Sequence, residues 1–238
     1  MMTIQYVSKN EFLSFIENEA RFRIDSYIES AIAQVEEVHA GVKREDETSS
    51  FLETHIWPVT IDVIKYYTTA NKPLTSVTIV SAILHDVLEE NERILDLYTS
   101  KSYGFDAYFI HRFGDAVYKA VTTLKVKPLE NYPRTDDKEP ESERFRVYCN
   151  TLLKSEYYVK VIKLADRLNN MRFIAEVPRH EKINRYIREA EDFYLAYSIL
   201  NPGMDYFYTK IRQAYEQLTK IRMSGDFLQA QMMQKTST

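Results

Sequence analysis

Apolar residues spaced three and four apart recur along almost the whole chain, and this feature constrains its fold most strongly. In the segment RFRIDSYIESAIAQVEEVH, which runs from Arg21 to His39, such residues lie at positions 22, 27, 28, 31, 32, 35 and 38. This spacing places apolar side chains on one face of an α-helix. The chain also has only five glycines in 238 residues, fewer than the turns of an all-β protein of this length require. The pattern therefore predicts an all-α fold.

Breaks in the pattern predict a bundle of roughly ten helices that forms a single domain over the whole chain. Pro58 suits the first turn of one helix, Ser76 can cap the next, and Gly114 separates two short helices further on. The segment Lys127–Glu143, with three prolines and many charges, predicts a loop because helical spacing resumes on both of its sides.

Composition excludes several classes of protein. The net charge of −4, with acids and bases mixed along the chain, argues against a broad surface for duplex nucleic acid. Cys149 is the only cysteine, so no intrachain disulfide can form and a thiolate zinc site is not expected. No apolar run approaches the roughly 20 residues that span a bilayer, and the first residues lack the layout of a signal peptide. We therefore expect a cytoplasmic protein with no membrane partner.

The stretch SAILHDVLEEN crowds one histidine and three carboxylates onto the end of an apolar run. On a helix His85 and Glu89 would share a face, as would Asp86 and Glu90. Such a cluster repels itself, and if it is partly buried a cation has to neutralise it. Imidazole and carboxylate are ligands that divalent metals accept. The alternative is an amphipathic helix whose acidic end simply meets water.

Two further segments carry candidate ligands. In VKVIKLADRLNNMR a polar stripe of Lys163, Asp166, Arg167 and Asn170 follows helical spacing on an otherwise apolar helix. That stripe could equally be a solvated face or an internal salt bridge between Lys163 and Asp166. His55 lies at a predicted loop-to-helix junction in ETHIWPVT, where a single histidine is often structural.

Taken in order, the segments HAGVKR, THIWP, ILHDVLEEN and IKLADRLNNMR resemble the hydrolase domain of the Rel/SpoT family, a branch of the HD-domain metal phosphohydrolases. That domain reads approximately H-x-G-Q-x-R, H-P, L-L-H-D-x-x-E-D-T and K-L-A-D-R-L-H-N-M-R. RFGDAVYKAVTTL is similar to a further family segment, so the resemblance runs from about Ala31 to Arg172. The predicted helices at 180–223 are compatible with the stand-alone small alarmone hydrolases. The resemblance implies an HD-domain helical bundle.

The resemblance also implies roles for individual residues. Glu89 and Glu90 match the family's Glu-Asp pair, which acts on the water and the phosphate. Arg44 matches an arginine that approaches the nucleotide, Asn170 matches an asparagine that lines the site, and Tyr186 matches a substrate-side tyrosine of the stand-alone enzymes. The metal ligands, for one Mn²⁺ ion per site, would be His55, His85, Asp86 and Asp166.

Other features bear on the substrate. Lys163, with its basic neighbours, could neutralise the charge of a polyphosphate. Val42 replaces the family's usual glutamine and Glu45 its usual lysine, so recognition of the nucleobase could differ. The segment HIWP also inserts residues where the family has HP.

The implied function is hydrolysis of the 3′-pyrophosphate of (p)ppGpp to GDP or GTP plus pyrophosphate. In the stringent response such an enzyme would degrade the alarmone, or act as an antidote to an alarmone synthetase. Two alternatives stay open. One is an HD phosphohydrolase that acts on the 2′-phosphate of NADPH or on a pyrophosphorylated tRNA end, and the other is a nucleotide-binding module without turnover. The sequence leaves open the oligomeric state and the choice between ppGpp and pppGpp.

Overall fold

The computed structural model describes residues 4–89, 104–132 and 139–236, with the backbone alone for residues 226–236. In this part of the chain the one strand-like feature is an isolated bridge between Lys43 and Ser50. No described helix is both long enough and apolar enough to cross a membrane. The predicted all-α class is confirmed. The α-helices are α1 (Lys9–Ser14), α2 (Ser26–Val38), α3 (Trp57–Thr69), α4 (Ser76–Ile83), α5 (Gly104–Leu124), α6 (Pro140–Leu153), α7 (Tyr157–Glu176), α8 (His180–Glu189), α9 (Leu195–Leu200) and α10 (Asp205–Thr236).

The chain divides into two compact units, and the division falls inside α7. Residues 7–163 form the first unit, in which α4 packs against α2, α3 and α5. Its core includes the stacked rings of Phe12 and Trp57, whose centroids lie 4.5 Å apart. Because α4 is buried from Thr78 to its last residue, Ile83, the residues that follow it emerge from the centre of this core.

The second unit contains residues from 164 onward together with the N-terminal residues up to Tyr6. Here α10 packs against α8 and α9. A π-helical turn, Ala190–Tyr194, joins α8 to α9, and its Phe193 ring stacks on Tyr197 at 4.6 Å. Aromatic side chains therefore fill much of this smaller core, which accounts for part of the high tyrosine content.

The break inside α5 lies at Gly114, as predicted, where φ is +79°. That conformation costs a residue with a Cβ more than it costs glycine. Two tyrosine hydroxyls satisfy carbonyls beside the break: Tyr27 donates to Phe113 O at 2.5 Å and Tyr158 donates to Ala116 O at 2.9 Å. The kink is thus held by side chains from α2 and α7.

Two predicted boundaries were wrong. Helix α6 begins at Pro140, inside the segment to Glu143 that was predicted to be loop, because proline is well suited to a first helical turn. The residue that caps α4 is Thr75 rather than Ser76, since the Thr75 hydroxyl accepts the N–H of Thr78 at 3.2 Å.

Candidate metal centre

His55 lies in a π-helical turn, Leu52–Ile56, that runs directly into α3. Pro58 occupies the first turn of that helix, as predicted. The His55 side chain is only 1% exposed. Single π-helical turns often re-aim a side chain at functional sites, and here the turn places an imidazole inside the core of the first unit.

His85 and Asp86 follow the end of α4, and their local geometry differs from the prediction. The helix ends at Ile83 rather than continuing through the acidic residues, and the N–H of Glu89 bonds to Asp86 O, three residues back, at 3.0 Å. The His85 ring provides a reason, because its Nδ1 donates to Ala82 O at 2.8 Å and so competes for a carbonyl that a longer helix would use. His85 and Glu89 therefore do not share a helical face.

Three side-chain atoms of the first unit converge at this point. The Nε2 atom of His55 lies 2.9 Å from Oδ2 of Asp86 and 3.1 Å from Nε2 of His85. The third side of the triangle, from His85 Nε2 to Asp86 Oδ2, measures 3.3 Å. Because Nδ1 of His85 donates to a carbonyl, its Nε2 carries a lone pair when the ring is neutral. At most one proton then lies among three atoms that can all donate electron pairs.

This triangle fits a divalent transition metal. An octahedron with edges of about 3.1 Å has metal–ligand bonds of about 2.2 Å, between the bond lengths typical of Mg²⁺ and Ca²⁺. Two imidazoles favour a transition metal over either of those oxygen-seeking ions. The groups of the first unit that could hold an ion are therefore His55, His85 and Asp86. The fourth predicted ligand, Asp166, belongs to the second unit.

The electrostatics favour the metal-binding protonation states. Burial lowers the pKa of His55, and the nearby Arg44 guanidinium lowers it further, whereas a hydrogen bond that the Asp86 carboxylate accepts from His55 raises it. Burial acts to raise the pKa of Asp86, but the interactions with His85 and His55 outweigh it and hold that pKa well below its usual value. A neutral imidazole and an ionised carboxylate are the forms that bind a metal.

Arg44 is buried near this triangle. Its guanidinium carbon lies 5.7 Å from the ring centroid of Phe51, and the Phe51 ring lies 4.8 Å from that of His55. Its Nε is 3.8 Å from Oε2 of Glu45, the residue that replaces the family's usual lysine. Arg44 therefore brings positive charge close to His55, with a carboxylate beside it.

The polar stripe on α7 is not a solvated face. Lys163, Asp166 and Arg167 are 7%, 4% and 9% exposed. The Lys163 ammonium lies 5.2 Å from the ring centroid of Tyr148. Asn170 donates from Nδ2 to Oδ1 of Asp166 at 2.5 Å, a contact that fixes the orientation of this carboxylate. Such burial is costly for charged groups unless each has a specific interaction.

The remaining predicted site residues differ in their exposure to solvent. Glu89 is exposed, and Glu90 lies outside the described residues. Tyr186 is buried, with its ring centroid 4.7 Å from the guanidinium carbon of Arg167 and 5.0 Å from that of Arg185. The structure therefore surrounds Tyr186 with cations of its own unit.

Sequence reasoning gave no role to Phe51 or His39. Phe51 contacts His55, four residues later, at a spacing that suggests a shared helical face. His39 belongs to the quoted segment HAGVKR and is 2% exposed. Its ring stacks on Phe51 with centroids 5.1 Å apart and planes 7° from parallel. Burial lowers the pKa of His39 to about 4, so the ring is neutral at neutral pH.

Comparison with known proteins supplies an informative likeness. No family model matches the sequence, and neither does any curated protein. Among solved structures, a metazoan ortholog of SpoT that hydrolyses ppGpp and plays a role in starvation responses matches with a TM-score of 0.56. The match covers 82% of this chain and 97% of the ortholog's chain at 18% sequence identity. At that identity the likeness establishes the fold alone: the chain has the all-α HD-domain fold.

Proposed function

We propose that this chain is a metal-dependent phosphohydrolase that removes the 3′-pyrophosphate of (p)ppGpp, giving GDP or GTP plus pyrophosphate. It would degrade the alarmone as a brake on the stringent response, or act as an antidote to an alarmone synthetase. The carrying observation is the triangle of His55 Nε2, His85 Nε2 and Asp86 Oδ2, with sides of 2.9–3.3 Å. The likeness in fold to a ppGpp hydrolase supports the choice of substrate.

In this proposal His55, His85, Asp86 and Asp166 hold one Mn²⁺ ion. A bound divalent ion lowers the pKa of a water molecule and withdraws charge from a phosphate oxygen. The chain's own contribution is a donor set whose side chains are oriented by hydrogen bonds. The hydrogen bond from His85 Nδ1 to Ala82 O fixes one imidazole, and the bond from Asn170 fixes the Asp166 carboxylate.

Glu89 and Glu90 would handle protons in the reaction. One carboxylate would orient the attacking water by accepting its hydrogen bond, and the other would give a proton to the leaving oxygen. Glu89 follows Asp86 by three residues and is exposed, so it can reach a substrate that arrives from solvent. The division of these two roles between Glu89 and Glu90 is left open.

Cationic and amide groups would bind the substrate. Arg44 and Lys163 supply buried positive charge that a polyphosphate can neutralise, and Asn170 would line the site. Tyr186 is the substrate-side tyrosine in this proposal. Because Arg44 also acts on His55 electrostatically, its charge bears on both the substrate and the donor set.

The direct test is hydrolysis by metal-loaded protein. Protein stripped with EDTA and reloaded with Mn²⁺ is incubated with ppGpp, and the products are separated by anion exchange. Metal-dependent appearance of GDP and pyrophosphate supports the proposal. An Asp86→Ala variant serves as the matched control, because it removes one metal-holding carboxylate and should be inactive. Turnover by that variant would contradict the assignment.

Parallel reactions separate the substrates. Glu45, where the family has lysine, places a carboxylate 3.8 Å from Arg44 and so favours testing ligands other than guanine nucleotides. NADPH and a pyrophosphorylated tRNA end are therefore incubated beside ppGpp and pppGpp. Metal binding without turnover of either alarmone would keep the centre and reject the substrate. Co-expression with an alarmone synthetase tests the antidote role through relief of growth arrest.

Two variants test individual roles. Glu89→Gln should retain bound metal and slow kcat by roughly a hundredfold or more, as expected for loss of a general acid or base. Loss of metal would instead assign Glu89 a structural role. Arg44→Ala should raise KM more than it lowers kcat, if Arg44 binds the ground state and the transition state equally well.

A further inference from the structure

His39 is a buried imidazole that the proposed reaction leaves without a role. It follows the last residue of α2 and is 2% exposed. Its Nδ1 lies 3.1 Å from the carbonyl oxygen of Val35. A carbonyl only accepts, so Nδ1 carries the hydrogen and Nε2 of the neutral ring carries a lone pair.

That Nε2 atom is buried and has no hydrogen-bond partner in the described part of the chain. Leaving a buried acceptor unpaired is unfavourable, so such atoms usually meet a water molecule or a ligand. The Val35 contact on the other side of the ring holds this lone pair in one direction.

The ring of His39 is close to the metal-centre triangle. Phe51 contacts both histidines, stacking on His39 at 5.1 Å and packing against His55 at 4.8 Å. Burial is the main cause that lowers the pKa of His39; of the three members of the triangle, Asp86 acts to raise this pKa, whereas His85 and His55 act to lower it. The ring therefore lies within electrostatic range of all three members of the triangle.

We propose that His39 is a positioning residue of this centre, whose Nε2 accepts a hydrogen bond from a water molecule bound beside His55, His85 and Asp86. The inference rests on the metal-binding part of the proposed function and is independent of the substrate. The ring thereby orients a water at the centre, and the water in turn satisfies the unpaired acceptor. Contacts of this kind typically change metal affinity or activity by about 10- to 100-fold.

The test compares two substitutions of nearly equal length, His39→Gln and His39→Met. Glutamine keeps an acceptor oxygen, whereas methionine offers only a weakly accepting sulfur. Mn²⁺ affinity is measured by calorimetric titration of metal-free protein, and unfolding of each metal-free variant verifies its fold. His111→Phe, which removes an exposed imidazole, is the control for loss of a histidine.

We expect His39→Met to weaken Mn²⁺ binding about tenfold or more, and His39→Gln to remain within about threefold of the unmodified protein. Equal affinities in the two variants would overturn the inference, because the acceptor would then be irrelevant. If neither variant folds, His39→Phe keeps the stack on Phe51 and removes the acceptor. Unchanged Mn²⁺ affinity in that variant would likewise overturn it.

The outcomes also separate this inference from the proposed function. A protein that binds Mn²⁺ with the expected Gln–Met difference, yet leaves ppGpp intact, rejects the substrate and supports the role of His39. A protein that binds no Mn²⁺ rejects both.

Discussion

Two buried polar clusters show how differently a protein can treat charge in its interior. In the Arg167 cluster, defined as Arg167, Tyr186, Glu189 and Tyr194, the guanidinium lies 2.7 Å from Glu189 and between two phenol rings at 4.7 and 4.6 Å. Burial acts to lower the pKa of Arg167, but Tyr194, Glu189 and Tyr186 outweigh it and hold that pKa well above its usual range. Within this cluster the carboxylate of Glu189 neutralises the positive charge of Arg167.

The metal-centre triangle does the opposite. His55, His85 and Asp86 turn three electron-pair donors toward one another, with sides of 2.9–3.3 Å. The comparison teaches that burial alone does not mark a functional site. A charge paired internally is typical of structure, whereas converging donors that share at most one proton are typical of a site that binds a cation.

The largest expected effect is at the triangle. Asp86→Ala should lose Mn²⁺ binding and hydrolysis together, because it removes an ionised ligand from the triangle, while the fold survives. Elemental analysis of the purified variant measures the metal, and thermal unfolding without metal measures the fold. Full metal occupancy in this variant would break the comparison.

At the Arg167 cluster the large effect should be on stability instead. Arg167→Met leaves the partly buried Glu189 carboxylate with the longer contact to Arg185, at 3.9 Å, in place of the Arg167 ion pair, so the free energy of unfolding should fall by about 3 kcal/mol. Combining it with Glu189→Met should recover most of that loss, which urea unfolding measures. Arg212→Met, at an exposed pair with Glu216, is the matched control and should leave stability unchanged.

Lowering the pH should also affect stability differently near the metal-centre triangle and at the Arg167 cluster. The native state keeps His39 neutral down to a pKa of about 4, whereas the unfolded chain protonates this group near pH 6.5. The unfolded state therefore binds more protons between these values. Stability from this group is complete above pH 6.5, falls by up to about 3 kcal/mol toward pH 4, and then levels off.

Urea unfolding in EDTA at pH 7, 5.5 and 4 measures how the free energy of unfolding falls with pH. In His39→Met this fall should be smaller by the same amount, up to about 3 kcal/mol. Equal slopes in the two proteins would contradict the pKa shift. The guanidinium of Arg167 keeps its charge throughout this range and so takes up no proton of its own.

The smallest expected effect tests whether the separation of an ion pair or its burial controls its contribution to stability. Lys9 and Glu36 lie 2.8 Å apart, almost the same separation as the 2.7 Å between Arg167 and Glu189, but their side chains are 47% and 33% exposed. A double-mutant cycle with alanine should give a coupling below about 1 kcal/mol for the exposed pair. A larger coupling there would show that distance, rather than burial, controls these pairs.

Much of the fold could be predicted because local rules apply. Helical spacing indicated the all-α class, and Gly114 marked the break in α5 because its positive φ favours glycine. The boundary errors arose where a local preference competed with another interaction. The expected helix through His85 ended early because the His85 ring takes the Ala82 carbonyl, a contact that periodicity does not encode.

The sequence by itself determined the residue types of the candidate metal centre, because imidazole and carboxylate chemistry can be read from the chain. Only the tertiary structure decided that His55 and Asp86, 31 positions apart, bring their atoms to 2.9 Å. The tertiary structure alone also decided that His39 is buried against Phe51 and that its Nε2 atom has no hydrogen-bond partner in the described part of the chain. The physical reason is that convergence and desolvation depend on how helices pack, and packing joins residues whose separation along the chain carries no local signal.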